Sequence, residues 1–595
     1  MPMLFEELCR YYERLEKLTG KIEMTKVLVE LFRKAEPDEV DKIAYLTLGE
    51  LWPDYLGHPE LGVAERMALR AISTASGISI QKLEKMLKAF GDIGRVAEKA
   101  ISMKKMQALF VAPLTVKEVY SKLVKIAKAS GPGSQDLKVR ILVGMLLSAK
   151  PIEAKYLIRI VVGELRLGVG EMLLLDALAE AFLKTKKGGR ELIERAYNKI
   201  PDIGYIAKIA ASEGEEGLKK IKITPGIPIR PMLAERLSDP KEILQKLGGE
   251  AAAEWKYDGE RAQIHKTEDG RILIFSRRLE NITYQYPDVV EYAKKFIEAD
   301  TFIAEGEIVA IDPDTGDMRP FQELMHRKRK YDIERIIKEY PVKVFLFDIM
   351  YLNGEELIDK PYLERRKLLE SIVKPNDFIV LSHMKIVRSV SELEEFFLEA
   401  ISSGCEGLVV KSLKDDAIYQ AGSRGWLWIK YKRDYKSEMV DTVDLVVIGA
   451  FAGKGRRAGT YGALLLASYN PDKDVFESVC KVGSGFTDTE LADLPLKLQP
   501  YIRSSRPKNI DTNMEPDYWV EPALVMEVIG AELTLSPVHT AAKDIVKREL
   551  KKDAGIAIRF PRFVRWRPDK SPKDATTSKE LFEMYLAQLK KLEVK

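Results

Sequence analysis

Lys256-Tyr257-Asp258-Gly259-Glu260-Arg261 is the stretch on which the reading of this chain turns. It is entered from a short apolar run that ends Glu254-Trp255. A lysine amine becomes a covalent nucleophile once it loses its proton. At the ordinary lysine pKa of about 10.4 it keeps that proton at neutral pH unless burial or nearby cations help. Arg261, five residues on, is such a cation and also a phosphate binder. Asp258-Gly259 makes a tight bend, so the lysine can present its amine from a strand end. A solvated surface turn has the same spelling, and what decides between the two lies downstream.

Composition bounds the problem. A chain of 595 residues suggests about three domains. Hydrophobic residues make up 46%, enough for packed cores. The 95 basic and 91 acidic residues leave a net charge of +4, too small to argue for nucleic acid unless the basic surface is segregated. Cys9, Cys405 and Cys480 are far apart and form no C-x-x-C pair. That excludes a four-cysteine zinc site and suits a reducing compartment. The start, Met-Pro-Met-Leu-Phe-Glu-Glu-Leu, reads as an amphipathic helix and not as a signal peptide. The apolar run from Ile141 to Leu147 is far short of a membrane span, so a soluble, cytoplasmic protein is expected. Only 10 Gln and 7 Asn accompany abundant Lys, Arg and Glu, which points to a high-temperature source.

Three blocks follow from the patterning. Residues 1–220 read as helix after helix, with apolar residues at three- and four-residue spacing in Leu4-Phe5-Leu8, Val27-Leu28-Leu31 and Leu173-Leu174-Ala177-Leu178. Residues 221–240 read as a linker, because Pro225, Pro228, Pro231 and Pro240 oppose both helix and central strand. From there to Asp434 short apolar runs, Ala304 to Ile311 and Val342 to Ile349, alternate with helices such as Ile333 to Glu339, the pattern of a mixed α/β domain. Residues 435–595 are strand-rich and glycine-punctuated, which suggests a small barrel closed by a helix from Ser578.

Candidate site residues recur along the middle block. Ser276-Arg277-Arg278 leaves a strand-like run, well placed to grip a phosphate or a sugar. Glu305-Gly306-Glu307 heads an apolar strand, and charges there are rarely buried unless paired or metal-bound. Phe347 could offer its ring to a purine or simply pack a core. Glu406 opens Gly407-Leu408-Val409-Val410-Lys411. Arg424 precedes Lys430 and Lys432, which share one face of a strand by period. Two such lysines form an anion clamp, or else guard an exposed sheet edge.

In this order the motifs resemble those of the ATP-dependent DNA ligases, of the archaeal replicative type within the nucleotidyltransferase superfamily. Lys256-x-Asp-Gly-x-Arg261, Ser276-Arg277, Glu305-Gly306-Glu307, Phe347-Asp348, Glu406 to Lys411 and Lys430-Tyr431-Lys432 carry the likeness. Arg567-Pro568-Asp569-Lys570 resembles the family's last motif, and Gly163 to Val169 resembles its helical domain. The resemblance implies an all-α DNA-binding domain (1–220), an α/β nucleotidyltransferase domain (221–434) and a C-terminal β-barrel of the OB-fold kind (435–595). It implies that Lys256 takes AMP from ATP, passes it to the 5′-phosphate of a nick, and that the 3′-hydroxyl then displaces it. In that scheme Glu254 meets the base by side chain or backbone, Phe347 stacks on it, and Arg261 and Arg277 hold ribose and phosphate. Arg424, Lys430 and Lys432 line the nucleotide site, with the two lysines approaching the α-phosphate. Glu307 and Glu406 bind magnesium, or manganese in its place. Arg567 and Lys570 orient pyrophosphate when the barrel closes about a hinge at 434–444. Relatives often carry asparagine where this chain has Arg278, which leaves open which arginine faces the ribose; distance from Lys256 favours Arg277. The implied partner is nicked duplex DNA, bound by a monomer. A segment from Ser102 to Phe110 could dock a sliding clamp through Gln107 and Phe110, or be a core stripe.

Four rival readings differ in checkable ways. An mRNA capping enzyme transfers GMP and needs no helical domain of this size. An NAD-dependent ligase would need a four-cysteine zinc module. An RNA ligase usually lacks the N-terminal block. A catalytically dead DNA-binding scaffold would have lost the nucleophile or the carboxylates.

Overall fold

The computed structural model describes residues 2–104, 112–184, 186–311, 318–319, 321–328, 333–403, 405–432, 441–453, 459–530, 532–536, 538–559 and 561–593. Residues 105–110 of the clamp segment and 434–440 of the hinge lie outside these. The chain divides into two compact units, Met1–Ser76 with Ile101–Arg433, and Gly77–Ala100 with Asp434–Lys595.

The first unit begins with helices. Phe5–Glu16 buries Phe5, Leu8, Cys9, Tyr12 and Leu15, an apolar stripe at helical spacing. Pro151–Val161 starts on a proline at its first turn and is buried along its length. Its two buried cations, Lys155 and Arg159, are tolerated because Glu16 meets them at 2.7 and 3.0 Å. The last helices, Lys186–Lys199 and Ile203–Lys219, join the part that follows. Arg195 pairs with Asp359 at 2.6 Å and Lys199 with Glu356 at 2.5 Å. The Ile223 amide donates to the other oxygen of Glu356 at 2.6 Å.

The proline-rich stretch is more ordered than a linker. Leu233–Arg236 is a strand, parallel to Arg424–Lys432, and Pro240 opens the helix Pro240–Leu247. Between Pro225 and Pro231, side chains supply the hydrogen bonds that proline removes from a ladder. Gln263 brackets Ile229, accepting from its amide and donating to its carbonyl, and His265 Nδ1 accepts from the Gly226 amide. The reading as linker missed this because the partners are side chains about forty residues away.

Two antiparallel-rich sheets follow. The first runs Leu233–Arg236, Arg424–Lys432, Gly407–Ser412, Ala251–Lys256, Met384–Val387. The second runs Ile272–Ser276, Glu260–Lys266, Phe302–Ala310, Val342–Leu352, Glu355–Glu356, with Ile379–Leu381 also on Val342–Leu352. The chain passes from one sheet to the other at Tyr257-Asp258-Gly259. Arg424–Lys432 is therefore an interior strand, paired on both sides, and the guarded-edge reading of its lysines falls away.

In the second unit Val443–Ala452 pairs with Tyr461–Asn470, Tyr518–Val520 and Val525–Ile529, so the sheet curls around it. Val443, Leu445 and Val447 face one core, and Val446 and Ile448 face another. Alternation with both faces buried explains the unbroken apolar run. Ser578–Glu593 packs Leu581 and Phe582 into the first of these cores. Gly77–Ala100 carries the helix Ile80–Phe90. Among the described residues no helix is long and apolar enough to cross a membrane.

Candidate active site

Strand register brings the site together. Gly407 lies opposite Lys256 on one side and opposite Lys432 on the other. Glu406, the residue before it, is thereby set between two lysines at the strand ends. Its Oε2 pairs with Lys256 Nζ, and with Lys432 Nζ at 2.6 Å. Two registers on, Val409 lies opposite Glu254 and Lys430. In the other sheet Arg261 lies opposite Glu307. The crossover between the sheets requires glycine, because a Cβ on Gly259 would stand 2.3 Å from the Ile308 carbonyl oxygen.

Between the sheets lies a cavity of about 680 Å³, within the size range of small-molecule sites. Glu254, Lys256, Arg261, Arg277, Glu307, Phe347, Glu406, Arg424, Lys430 and Lys432 all line it, as do Asp258, Arg278, Lys411 and Trp428. Arg567 and Lys570 belong to the second unit, and the cavity is built wholly from the first.

The acids and bases of the cavity fall into two classes. Some are spent on each other. Glu254 is buried, and its carboxylate accepts from Lys411 Nζ at 2.8 Å, from Tyr362 and from Ser382. Arg261 makes a bidentate pair with Glu305 at 2.8 and 2.9 Å and donates to the Met232 carbonyl at 2.8 Å. Tyr419 donates to the same Glu305 at 2.8 Å. Burial works to lower the Arg261 pKa, but Glu305 and Tyr419 outweigh it and hold the group charged. The expectation that Arg261 grips ribose and phosphate is thus altered: its fork is committed to Glu305, which the sequence reading passed over. The sequence names Glu305 beside Glu307 in one motif, but nothing local in it marks Arg261 as the partner of Glu305.

Others face the cavity unspent. Among the described residues no acid pairs with Arg277, Arg278, Arg424 or Lys430. Lys430 has a lowered pKa, first from burial and then from Arg424, Lys432, Arg277 and Lys256. Such a concentration of like charge calls for a polyanion. Burial pushes the Glu307 carboxyl up to about 7, against the pull of Lys256 and Arg261. Burial acts the same way on Glu406, but Lys256 and Lys432 overcome it and hold that carboxyl below its usual range. Phe347 stands edge-on to Trp428 at 6.1 Å, with Lys411 Nζ 5.0 Å from its ring.

In the second unit Arg567 donates through Nη1 to both oxygens of Asp444 at 3.0 Å and grips Asp569 through Nε and Nη2 at 3.0 and 2.8 Å. Lys570 Nζ donates to Asp444 Oδ2 at 2.6 Å.

The sequence matches three family descriptions in order: "DNA ligase N terminus" over residues 4–179, "ATP dependent DNA ligase domain" over 231–432, and "ATP dependent DNA ligase C terminal region" over 457–570. It is 56% identical to the DNA ligase of Acidianus ambivalens over 605 aligned positions, covering 100% of this chain and 99% of that one. It is 58% identical to the DNA ligase of Sulfophobococcus zilligii, covering 98% and 96%. The solved structure Pmar-Lig_PreS3 shares the fold at a TM-score of 0.51 and 16% identity, covering 94% of this chain and 99% of that chain. With its motifs in order, both sheets around one cationic cavity and full-length relatives of this kind, the chain belongs to the ATP-dependent DNA ligases, enzymes that seal nicks in duplex DNA.

Proposed function

We propose that Lys256 is the residue that carries AMP. Its amine stands at a strand end inside the cavity, against Glu406 and among unpaired cations, and that placement is the observation that supports the reading. The Nζ–P bond forms at the α-phosphate as the bond to the bridging oxygen of pyrophosphate breaks. In-line positioning and charge neutralisation are the main catalytic needs of such a transfer. Arg277, Arg424, Lys430 and Lys432 supply the neutralising charge. AMP then moves to the 5′-phosphate of the nick, and attack by the 3′-hydroxyl releases it.

Glu254 has no spare carboxylate oxygen, so base recognition at this position falls to its main chain. Phe347 offers its ring to the base. Arg261 acts through Glu305 as a fixed wall of the site. Glu307 and Glu406 have the hard oxygen donors that magnesium or manganese takes, and the raised pKa of Glu307 marks a buried carboxylate that a divalent cation would suit. When bound, the metal supplies neutralisation of phosphate charge. Arg567 and Lys570 act on the pyrophosphate group in the first step. The domain limits 1–220, 221–434 and 435–595 fit this division of labour.

Incubation with α-labelled ATP, GTP or NAD followed by a denaturing gel tests the reading. A label retained from ATP alone, and released on adding nicked DNA, is expected. Absence of any adduct would overturn it.

A further inference from the structure

Asp444 is the second residue of the strand Val443–Ala452, and it is almost fully buried. Its main chain is tied on both sides. Its amide donates to Thr576 Oγ1 at 3.0 Å, and its carbonyl accepts from the Thr576 amide at 2.8 Å. Its carboxylate holds two cations. Arg567 Nη1 reaches both oxygens at 3.0 Å, and Lys570 Nζ reaches Oδ2 at 2.6 Å. Sharing one oxygen, the two nitrogens stand close enough to contact a single phosphate group. Two cations so near repel each other, and a carboxylate between them is what allows the arrangement. Arg567 is further oriented by Asp569, and its amide is fixed to the Val525 carbonyl at 2.9 Å.

We propose that Asp444 is a positioning residue for the first reaction step: it holds Arg567 and Lys570 together as a pair matched to the pyrophosphate leaving group. This rests on the reading of Arg567 and Lys570 given above. Asp444 touches no reacting atom. Its backbone is fixed by Thr576, so its carboxylate is a rigid reference for both side chains. Loss of its charge leaves the lysine without a partner among the described residues and leaves the arginine to Asp569, with Glu527 Oε2 standing 3.8 Å from its Nη1.

The test uses the full chain with Asp444→Asn, which keeps size and removes charge. Three rates are compared: enzyme–AMP formation from ATP, its reversal by added pyrophosphate, and sealing of a nick that already carries AMP. A misplaced pair should slow the first two by roughly tenfold to a hundredfold, the scale of an ångström-level misplacement. Sealing of the adenylated nick should change far less, which also reports that the protein is folded. Adding Asp444→Asn to an Arg567→Ala, Lys570→Ala background should cause no further loss. If that background itself keeps both pyrophosphate-linked rates, the reading of Arg567 and Lys570 fails. If the background loses them while Asp444→Asn alone does not, or if the losses multiply, the positioning role fails. Equal loss of all three rates in Asp444→Asn also overturns it.

Discussion

At the scale of single residues, identical side chains take opposite roles according to their partners. Lys256 and Lys411 both line the cavity, but Lys411 is buried on Glu254 while Lys256 stands at a strand end. Lys256→Ala should abolish the labelled enzyme adduct and nick sealing, and leave binding of nicked duplex within about twofold, because affinity comes mainly from phosphate contacts made elsewhere. A labelled adduct in the variant would remove Lys256 from its role. The carboxylates carry a second prediction. Burial raises Glu307 to about 7, and it raises Glu50 to about 7 with help from Asp54 and Glu171. A carboxyl whose folded pKa exceeds its unfolded value adds stability below the unfolded pKa and loses it as pH rises through the folded one. In metal-free protein the denaturation midpoint should therefore fall between about pH 4.5 and 7 for these two groups. Glu307→Gln and Glu50→Gln should each flatten that slope. A slope unchanged in both variants would show that neither group is protonated at the lower pH.

At the scale of elements, the hexapeptide is a crossover from one sheet to the other, and this is why its spelling is tight. Lys256 closes one strand, Glu260 opens the next, and Gly259 passes against the Ile308 carbonyl. Gly259→Ala should cost about 1–3 kcal/mol, as overpacking does, and should slow enzyme–AMP formation more than sealing of an adenylated nick. Denaturant unfolding together with the two rates checks it, and wild-type values in both would refute the account. The strands were legible in the sequence because their apolar runs are long and bounded by glycine or proline. Glu305 was passed over because its partner, Arg261, lies on another strand, and no local pattern announces a pairing across a ladder. The proline segment was read too loosely for the same reason. Gln263 and His265 hold it, and they lie in a strand that reads as core. Asp444 gave no sequence signal beyond the end of the hinge, since its role depends on residues more than 120 positions away.

At the scale of the whole molecule, a net charge of only +4 coexists with a cavity lined by Arg277, Arg278, Arg424 and Lys430. Composition could not announce a DNA enzyme, because 91 acids hide 95 bases and only their placement matters. Many acids are used internally, as Glu16, Glu305, Asp348 and Asp444 are, each paired with an arginine or a lysine. That leaves other cations to meet phosphate. A nick sealer must accept any sequence, so its grip should come from phosphates and not from base edges. Binding of the full chain, as Lys256→Ala to prevent turnover, should therefore weaken linearly in log–log coordinates with salt. Six or more phosphates contacted would cost on the order of 10³-fold between 50 and 200 mM. Duplexes of unrelated sequence carrying the same nick should give the same slope and nearly the same affinity. The measurement is a fluorescence titration across salt concentrations. A flat salt dependence, or a strong preference for one sequence around the nick, would mean that base contacts and not backbone charge hold the DNA.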